Sequence, residues 1–530
     1  MKIKDIEMKI KDYPFLSIKA CGQKVIEAHL TKRNSYPRTF SIKKKNFSIL
    51  GYIEPKLYSD LKNCLVSEKK ISQFLSKIKR TRDKEFLLII LKEKPFEIKV
   101  YRDAFCTLPI FYMQKDDSFF LSNEFIELFS YLSKDDEIDI DFKHLSEHLL
   151  FKEGLSNKTI FSEIKVLTER SILTGNDKGV KIKYPNSSLI LTKPSKLKNS
   201  LKSFTKILEK TLDNYWFKFR EKKNIGFEVS GGVDSVTPIK FYSQIAKDRL
   251  KGFSMVFDGE LGAGQKRKLR EIARFSSIKI DFTPIVNLWP LKSQAKSKKL
   301  KPFFLKREIY FEALDKMAQK AQKQGVKVII TGTGGDEAFA IDPREKVGFQ
   351  GSQEKKFRES FIISSIFTDK VRQGFLSPDE DVIPIPVIPY SVLSSNSSRN
   401  NIYIRHNIWP VAPLAHPIFA RFCRHLPKNK KEKKKILRDY LKKLGYSEEI
   451  YNPQRNENFA SFFDNTICRK EIKDLFRKLI SSSQLSKLGI IDKDEFIKVY
   501  TEYCQKKSKI SPLYFYTIIT TEILLQSCNQ

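Results

Sequence analysis

No stretch of the sequence is apolar over the roughly 18 residues that a helix needs to cross a membrane. The first five residues, Met1 to Asp5, carry charges with no apolar segment behind them, so a secretory signal is not predicted. The seven cysteines are odd in number and lack CxxC spacing, which argues against a disulfide scaffold or a zinc site. We therefore expect a cytoplasmic protein with reduced thiols and no membrane partner.

Acidic residues are few relative to basic ones, and the formal net charge at pH 7 is +36. Such a charge favours anionic partners, among them nucleotides, nucleic acid and acidic peptides. The basic residues, however, lie in short scattered runs, and no signature of a nucleic-acid-binding module is present. We therefore interpret most lysines as solvated surface residues and do not predict a nucleic-acid partner.

The length of 530 residues exceeds what one hydrophobic core usually organises, so two domains are predicted. Residues 1–190 contain short strands divided by polar turns, such as Phe47–Ile53 and Phe86–Leu91, which indicates an α+β domain. Turn-forming residues from Tyr184 to Lys196 mark the boundary.

The second predicted domain, residues 196–530, alternates longer helical segments with short β-rich strands. The strands are predicted at Ile225–Val229, Gly252–Phe257, Ile278–Phe282 and Val326–Ile330. This alternation is typical of an α/β domain with a doubly wound parallel sheet, in which ligands bind beyond the carboxyl ends of the strands. The segment from Arg344 to Asn401 is rich in proline, serine and charge, and we expect a mobile loop or lid there.

A glycine-rich motif, Ser230-Gly231-Gly232-Val233-Asp234-Ser235, follows the first of these strands and leads into a predicted helix. Gly231 and Gly232 allow a tight turn that exposes backbone N–H groups, which bind phosphate together with the helix N-terminus. Ser230 and Ser235 can donate further hydrogen bonds, and Asp234 can hold a magnesium ion beside the phosphates. The alternative is an ordinary turn with a capping Asp or Ser, but the strand, loop and helix context favours a phosphate site.

A second motif, Thr331-Gly332-Thr333-Gly334-Gly335-Asp336-Glu337, follows the strand Val326–Ile330. Its glycines let the backbone approach a ligand closely. Asp336 is suited to a second magnesium contact opposite Asp234. The alternative, a glycine-rich turn with a capping Asp, is less favoured because the first motif is also present.

Together the two motifs resemble those of the asparagine synthetase superfamily, which includes β-lactam synthetase and the lasso-peptide macrolactam cyclases. Members carry an SGGxDS pyrophosphate loop and a later GxGxDE segment, matched here by Ser230–Ser235 and Gly332–Glu337. The resemblance implies an ATP-pyrophosphatase domain in which Asp234 and Asp336 ligate magnesium. It also implies that Thr331 and Gly332 line the pocket for the nucleotide and the acyl-adenylate.

A third segment, Lys434-Lys435-Ile436-Leu437-Arg438, resembles the K-x-x-L-R segment of the same superfamily. The resemblance implies that Lys434 reaches the phosphates. The alternative is that Lys434 is one lysine of a solvated basic helix, because other lysines surround it.

The first predicted domain resembles the glutamine-amidotransferase-like domain of the superfamily, which implies an Ntn-type fold. Tyr101–Tyr112 resembles the RDxxGxxPLYY segment, and Leu121–Glu124 resembles the SSE segment. A glutaminase of this type needs an N-terminal cysteine whose own amine serves as base. Lys2 stands at position two and the nearest cysteine is Cys21, so glutamine hydrolysis is not expected.

Two further departures concern the synthetase motifs. Thr333 stands where asparagine synthetases have Glu and β-lactam synthetase has Tyr, and Pro413-Leu414-Ala415-His416 replaces the PFLD segment. With Lys2, these departures favour a substrate that brings its own amine. The predicted catalytic residues are Lys434, Glu337 and Thr333, and the proton acceptor is left open between Glu337 and His416.

Our primary hypothesis is an amide- or lactam-forming ligase that uses ATP and Mg²⁺ and is closest in design to a lasso-peptide cyclase. It would adenylate a peptide or small carboxylate with release of pyrophosphate, and an amine would then displace AMP. Such an enzyme could work beside a protease that processes the precursor peptide. The alternatives are an ammonia-dependent asparagine synthetase and a non-catalytic nucleotide-binding scaffold, and the retained Asp234, Asp336 and Lys434 argue against the scaffold.

Overall fold

The computed structural model describes residues 15–21, 24–33, 36–44, 47–65, 67–78, 83–115, 118–131, 139–151, 156–176, 178–184, 201–220, 224–246, 249–303, 308–339, 365–377, 383–384, 386–453, 460–506 and 510–528. Residues 15–184 are called the N-terminal part below, and residues 201–528 the C-terminal part. The predicted domain boundary and Lys2 lie outside the described residues, so both readings stay predictions.

The strands are β1 Leu16–Cys21, β2 Lys24–Leu30, β3 Arg38–Lys43, β4 Phe47–Ile53, β5 Phe86–Glu93, β6 Phe96–Arg102, β7 Phe111–Lys115, β8 Ser118–Ser122, β9 Lys165–Val166, β10 Ile172–Asn176, β11 Gly179–Lys183, β12 Ile225–Glu228, β13 Leu250–Val256, β14 Lys279–Pro284, β15 Val328–Ile330 and β16 Trp409–Val411. The α-helices are α1 Pro55–Cys64, α2 Glu68–Ile78, α3 Phe142–Leu149, α4 Leu201–Phe219, α5 Val233–Ala246, α6 Gly259–Phe275, α7 Lys292–Ala295, α8 Phe311–Lys323, α9 Gly335–Ala338 and α10 Asp369–Leu376. They continue with α11 Tyr390–Arg405, α12 Pro417–Arg424, α13 Lys428–Lys431, α14 Lys435–Lys443, α15 Glu448–Tyr451, α16 Ala460–Ile467, α17 Lys470–Ser481, α18 Gln484–Lys487, α19 Lys493–Cys504 and α20 Pro512–Ser527. Short 3-10 helices lie at Phe125–Tyr131, Pro413–Ala415 and Glu432–Lys434.

The N-terminal part contains two antiparallel sheets, one in the order β2-β1-β8-β7-β9 and one in the order β11-β10-β6-β5-β4-β3. The central strands β4 and β5 are buried over five and six consecutive residues, so both faces of the six-stranded sheet are apolar there. One face of each sheet contributes to a common core that includes Ile18, Leu50, Ile89, Ile98 and Leu121. Helices α1 and α2 cover the other face of the six-stranded sheet. This arrangement agrees with the predicted α+β class.

The C-terminal part is built on a parallel sheet in the order β14-β13-β12-β15-β16. All four strands predicted from the sequence are present. Helices cover both faces: α5 packs on one through Ile239 and Tyr242, and α8 on the other through Leu314 and Met317. This parallel sheet between helices agrees with the predicted α/β class. Because the first strand β12 pairs with both β13 and β15, the loops after β12 and β15 emerge side by side at the point where the strand order reverses.

Two helices, α10 and α11, lie where the sequence predicted a mobile loop or lid between Arg344 and Asn401, so that prediction is wrong for these residues. The polar composition has a structural cause. On α11, the Asn396 side chain donates to the Phe105 carbonyl at 3.1 Å and that of Asn400 donates to the Thr107 carbonyl at 2.8 Å. These amides bind the backbone of the N-terminal part instead of water. Residues 344–364, 378–382 and 385 of the segment lie outside the described residues.

Strand β16, which the sequence did not predict, joins the two parts of the chain. Trp409 is fully buried, and its Nε1 donates to Glu85 Oε1 of the N-terminal part at 3.0 Å. Its ring contacts those of Phe15 and Tyr52. The Arg33 guanidinium donates to Asn407 Oδ1 at 2.7 Å beside this contact. The parallel sheet is thus anchored to the antiparallel sheets.

Helices α16 to α20 form a helical unit at the end of the described chain. They share a core with the five-stranded sheet, in which Phe111 and Phe120 meet Leu475 and Phe515. Helix α20 is buried along almost its whole length. Among the described helices, none is both long and apolar enough to cross a membrane.

Candidate active site

The two glycine-rich loops follow the adjacent strands β12 and β15 and pack directly against each other. A Cβ atom added to Gly335 would lie 2.1 Å from Asp234 Cγ, and one added to Gly332 would lie 2.8 Å from the Ser235 nitrogen. Both distances are shorter than any carbon side chain allows. The glycines are therefore needed so that the second loop can lie against the first.

The first loop is closed by its own serines. The Ser230 N–H donates to Ser235 Oγ at 3.2 Å, and Ser235 Oγ donates to the Gly232 carbonyl at 2.9 Å. The Gly232 N–H donates to Ser230 Oγ at 3.2 Å. Gly231 has a φ of 87°, which favours glycine. The loop ends at the first turn of α5, where N–H groups have no acceptor within the helix and can bind an anion.

Lys434 lies between the two predicted carboxylates, although it is distant from both in the sequence. Its Nζ is 2.5 Å from Asp234 Oδ2 and 2.7 Å from Asp336 Oδ1. Burial disfavours the ammonium, but the two carboxylates outweigh burial and raise the pKa of Lys434. Its neighbours Lys433 and Lys435 are exposed. Lys434 therefore belongs to the loop cluster and carries its positive charge there, whereas the lysines on either side of it are exposed to solvent.

The backbone that carries Lys434 has an uncommon conformation. Lys433 and Lys434 have φ values of 47° and 56°, in the left-handed region that non-glycine residues rarely adopt. A residue in this conformation raises the free energy of the folded state by about 1–3 kcal/mol, and the conformation persists where surrounding contacts hold it. Arg438 supplies such contacts, because its Nε donates to the Lys433 carbonyl at 2.6 Å and its Nη1 to the Tyr451 carbonyl at 3.1 Å. Arg438 is thus a positioning residue that sequence reasoning missed, although it is the last residue of the K-x-x-L-R segment.

The cluster of Asp234, Asp336 and Lys434 has one negative charge in excess, since two carboxylates face one ammonium. Asp234 Oδ1 is buried and has no hydrogen-bond partner among the described residues. Magnesium is commonly bound by one or two carboxylates together with substrate phosphates. No group of three or more metal-binding side chains occurs in the described part of the chain. The two carboxylates therefore fit a magnesium ion that arrives with a nucleotide.

Three further residues predicted from the sequence are Thr331, Glu337 and His416. Thr331 is buried at the end of β15, and its Oγ1 donates to Thr333 Oγ1 at 3.2 Å, while Glu337 is partly buried on α9. His416 is fully buried, and its Nδ1 accepts from the Ile418 N–H at 3.2 Å as the cap of α12. Burial lowers the pKa of His416 well below its usual range. The imidazole is already engaged in a helix cap, which leaves Glu337 as the better candidate for a base.

Replacement of Gly335 by alanine is expected to weaken binding of Mg·ATP by about tenfold or more, because the added Cβ displaces Asp234. Isothermal titration calorimetry would measure the dissociation constant. Gly264→Ala is a matched control: a Cβ there has no atom within 4 Å, and the fold should be as stable or more stable. Unchanged Mg·ATP binding in Gly335→Ala would show that the contact between the loops is not part of the nucleotide site.

The part of the chain that carries both glycine-rich loops matches the model of a known protein family. Residues 218–353 match the family model for asparagine synthase. The matched segment contains both glycine-rich loops and covers about a quarter of the chain, and Lys434 lies beyond it. The match supports placing this segment in the asparagine synthetase superfamily. It also supports ATP-dependent amide formation as the general activity.

Two solved structures show low similarity to the chain. The U34-tRNA thiolase NcsA from Methanococcus maripaludis, with its 4Fe-4S cluster, is 13% identical, with 57% of this chain and 80% of that chain covered and a TM-score of 0.24. The glutamine phosphoribosylpyrophosphate amidotransferase from B. subtilis, complexed with ADP and GMP, is 11% identical, with 59% and 62% covered and a TM-score of 0.18. At TM-scores this low, neither structure informs the fold or the activity of this chain. No curated protein is significantly similar in sequence.

Proposed function

We propose that the chain is an ATP-dependent ligase that adenylates a carboxylate and then forms an amide or lactam with an amine. One observation carries this proposal: Lys434 contacts Asp234 and Asp336 where the two glycine-rich loops meet. A cation and two carboxylates at the carboxyl ends of parallel strands suit a nucleoside triphosphate.

In the first step, a substrate carboxylate oxygen attacks the α-phosphorus of ATP. The bond from that phosphorus to the oxygen bridging the α- and β-phosphates breaks, and pyrophosphate leaves with the electron pair. The Lys434 ammonium and the N–H groups at the start of α5 stabilise the charge that grows on pyrophosphate. A magnesium ion held by Asp234 and Asp336 would neutralise further phosphate charge.

In the second step, an amine attacks the carbonyl carbon of the acyl-adenylate, and AMP leaves. The amine loses one proton, and Glu337 is the candidate acceptor because it follows Asp336 directly and is only partly buried. The site would contribute mainly by holding the amine against the adenylate. No nitrogen from glutamine is required.

We further propose that the substrate is a peptide and that the product is a macrolactam. Thr333 and the Pro413–His416 segment depart from asparagine synthetases, and both lie at the proposed site: Thr333 on the second loop, and Ala415 against Gly334 of that loop. The net charge of +36 suits a precursor with acidic residues, although salt weakens such attraction. A protease that processes the precursor would be a partner of this activity.

A peptide with an internal Asp or Glu and a free amine is therefore expected to stimulate AMP release and to lose the mass of one water. Mass spectrometry of the peptide and chromatography of the nucleotides would measure both changes. The control is the same peptide with Asn or Gln in place of the acidic residue, which should release no AMP.

The family match favours asparagine synthesis from ammonia as the second candidate. Conversion of free aspartate and ammonium to asparagine, with no response to any peptide, would establish that candidate and contradict the macrolactam proposal. Either result would leave the proposed adenylation step intact.

A further inference from the structure

A cavity of about 130 Å³ lies in the N-terminal part against helix α11. Its wall is largely apolar and includes Phe125, Ile160, Leu167 and Leu393. None of the residues of the two glycine-rich loops lines it, and neither does Lys434. The cavity is therefore separate from the proposed nucleotide site.

Besides Glu147, three charged side chains line this cavity although they are more than nine-tenths buried. Arg102 and Glu169 are 5% exposed, and the side chain of Arg170 is 7% exposed. In each, one polar atom has no hydrogen-bond partner among the described residues: Arg102 Nη1, Glu169 Oε2 and Arg170 Nη2. Leaving a buried charged group incompletely bonded is costly, so these atoms indicate a missing polar partner.

The Arg102 guanidinium is only partly satisfied by its direct hydrogen bonds, which leave Nη1 without a partner among the described residues. Its Nε donates to Cys106 Sγ at 3.1 Å and its Nη2 to the Leu108 carbonyl at 2.5 Å, and it forms no salt bridge with a described residue. Glu169 uses only Oε1, which accepts from Arg170 Nε at 2.9 Å and from the Val387 N–H at 2.7 Å. The cavity wall thus offers guanidinium donors and one free carboxylate oxygen.

The backbone around these groups is strained as well. Cys106 and Arg170 both line the cavity and have φ values of 48° and 52°. Non-glycine residues in this region are uncommon, and such strain concentrates at binding and catalytic sites. Two such residues in one cavity wall agree with a built site.

The charges on the wall are nearly balanced, since three cationic side chains face two carboxylates: Arg102, Lys158 and Arg170 against Glu147 and Glu169. A wall with both cationic and anionic side chains suits a ligand that carries both signs of charge, because each charge of the ligand can pair with a side chain of opposite charge. The volume holds on the order of ten water-sized positions, which fits a ligand of about that many heavy atoms.

We propose that this cavity binds a free amino acid. Its carboxylate accepts from the guanidinium groups of Arg102 and Arg170, and its ammonium donates to Glu169 Oε2. The apolar wall surrounds its side chain. This site is separate from the ATP loops, and Asn396 and Asn400 on another side of α11 hold that helix against the N-terminal part.

Differential scanning fluorimetry with each proteinogenic L-amino acid at millimolar concentration, followed by calorimetry, tests the proposal with the full chain. At least one amino acid is expected to raise the melting temperature. Its amide, which lacks the carboxylate, and its hydroxy-acid analogue, which lacks the amine, are expected to bind at least about tenfold more weakly, because each leaves a buried charge unpaired. Equal binding of either analogue would contradict recognition of both charges.

Two variants locate the binding. Glu169→Gln keeps the shape and the Oε1 contacts but removes the charge that receives the ammonium, so the dissociation constant should rise at least about tenfold. Ser397→Phe fills the cavity and should abolish binding, whereas Ser398→Phe, at a residue outside the wall, should not. Glu97→Gln is the control for charge, because Glu97 pairs with Lys99 and does not line the cavity. Binding that persists in both Glu169→Gln and Ser397→Phe, or a full panel without any binding amino acid, would overturn the proposal.

Discussion

Replacing Lys434 by alanine is expected to reduce substrate-dependent exchange of labelled pyrophosphate into ATP by about 10²–10³-fold. Lys434 is the cation closest to both loop carboxylates, and its ammonium is positioned to meet the charge that grows on pyrophosphate. Without it, Asp234 and Asp336 would face the phosphates with no ammonium between them. The loss should appear in the rate of the exchange at saturating ATP.

Lys435→Ala is the matched control, because Lys435 is the next residue and is exposed. Its exchange rate should stay within about twofold of the wild type, as expected for a surface substitution. Circular dichroism and the melting temperature would show that both variants fold. Equal activity in the two variants would restore the alternative that Lys434 is one lysine of a solvated basic surface.

Asp234→Asn and Asp336→Asn are each expected to reduce the exchange by at least about a hundredfold, because each removes a carboxylate that fits magnesium. The larger effect is expected for Asp234. Its side chain is 18% exposed, against 71% for Asp336, and electrostatic interactions are stronger where water is excluded.

A magnesium titration of the exchange rate separates metal binding from a general loss. Both variants should need a higher magnesium concentration for half-maximal exchange, and both should keep the wild-type melting temperature within a few degrees. Asp369→Asn is the control, since Asp369 lies on an exposed face of α10. Wild-type magnesium dependence in either loop variant would contradict the metal assignment.

The sequence predicted the parts of the fold that depend on local patterns. The strands β12 to β15 are apolar segments between helices, and the two glycine-rich loops follow strands directly. The contact between those loops could be expected because adjacent parallel strands end at the same edge of a sheet. The close approach of Gly335 to Asp234 explains why glycine stands there.

The elements that were missed depend on tertiary contacts. Strand β16 has three residues with a proline in the middle, and it is held by pairing with β15 and by burial of Trp409 against the N-terminal part. Helix α11 contains several serines and asparagines, which indicate a loop when their partners are unknown. Its asparagines bind carbonyls almost 300 positions earlier in the chain, a contact that no local pattern reveals.

The position of Lys434 could be proposed from a resemblance but not from the physical properties of its segment. Two consecutive residues with positive φ and no glycine are needed to place it, and Arg438 holds that conformation. The cavity that contains Arg102 and Glu169 was missed for a similar reason. Its charged residues come from segments that the fold brings together, and their missing partners are visible only in three dimensions.

The most direct test of the proposed adenylation uses a peptide substrate whose acidic side chain carries ¹⁸O in its carboxylate. If the carboxylate attacks the α-phosphorus, one labelled oxygen must pass to AMP when the amide forms. Mass spectrometry of the nucleotide should therefore find AMP that contains ¹⁸O, together with unlabelled pyrophosphate. Formation of ADP and labelled inorganic phosphate, or of AMP without the label, would contradict the account.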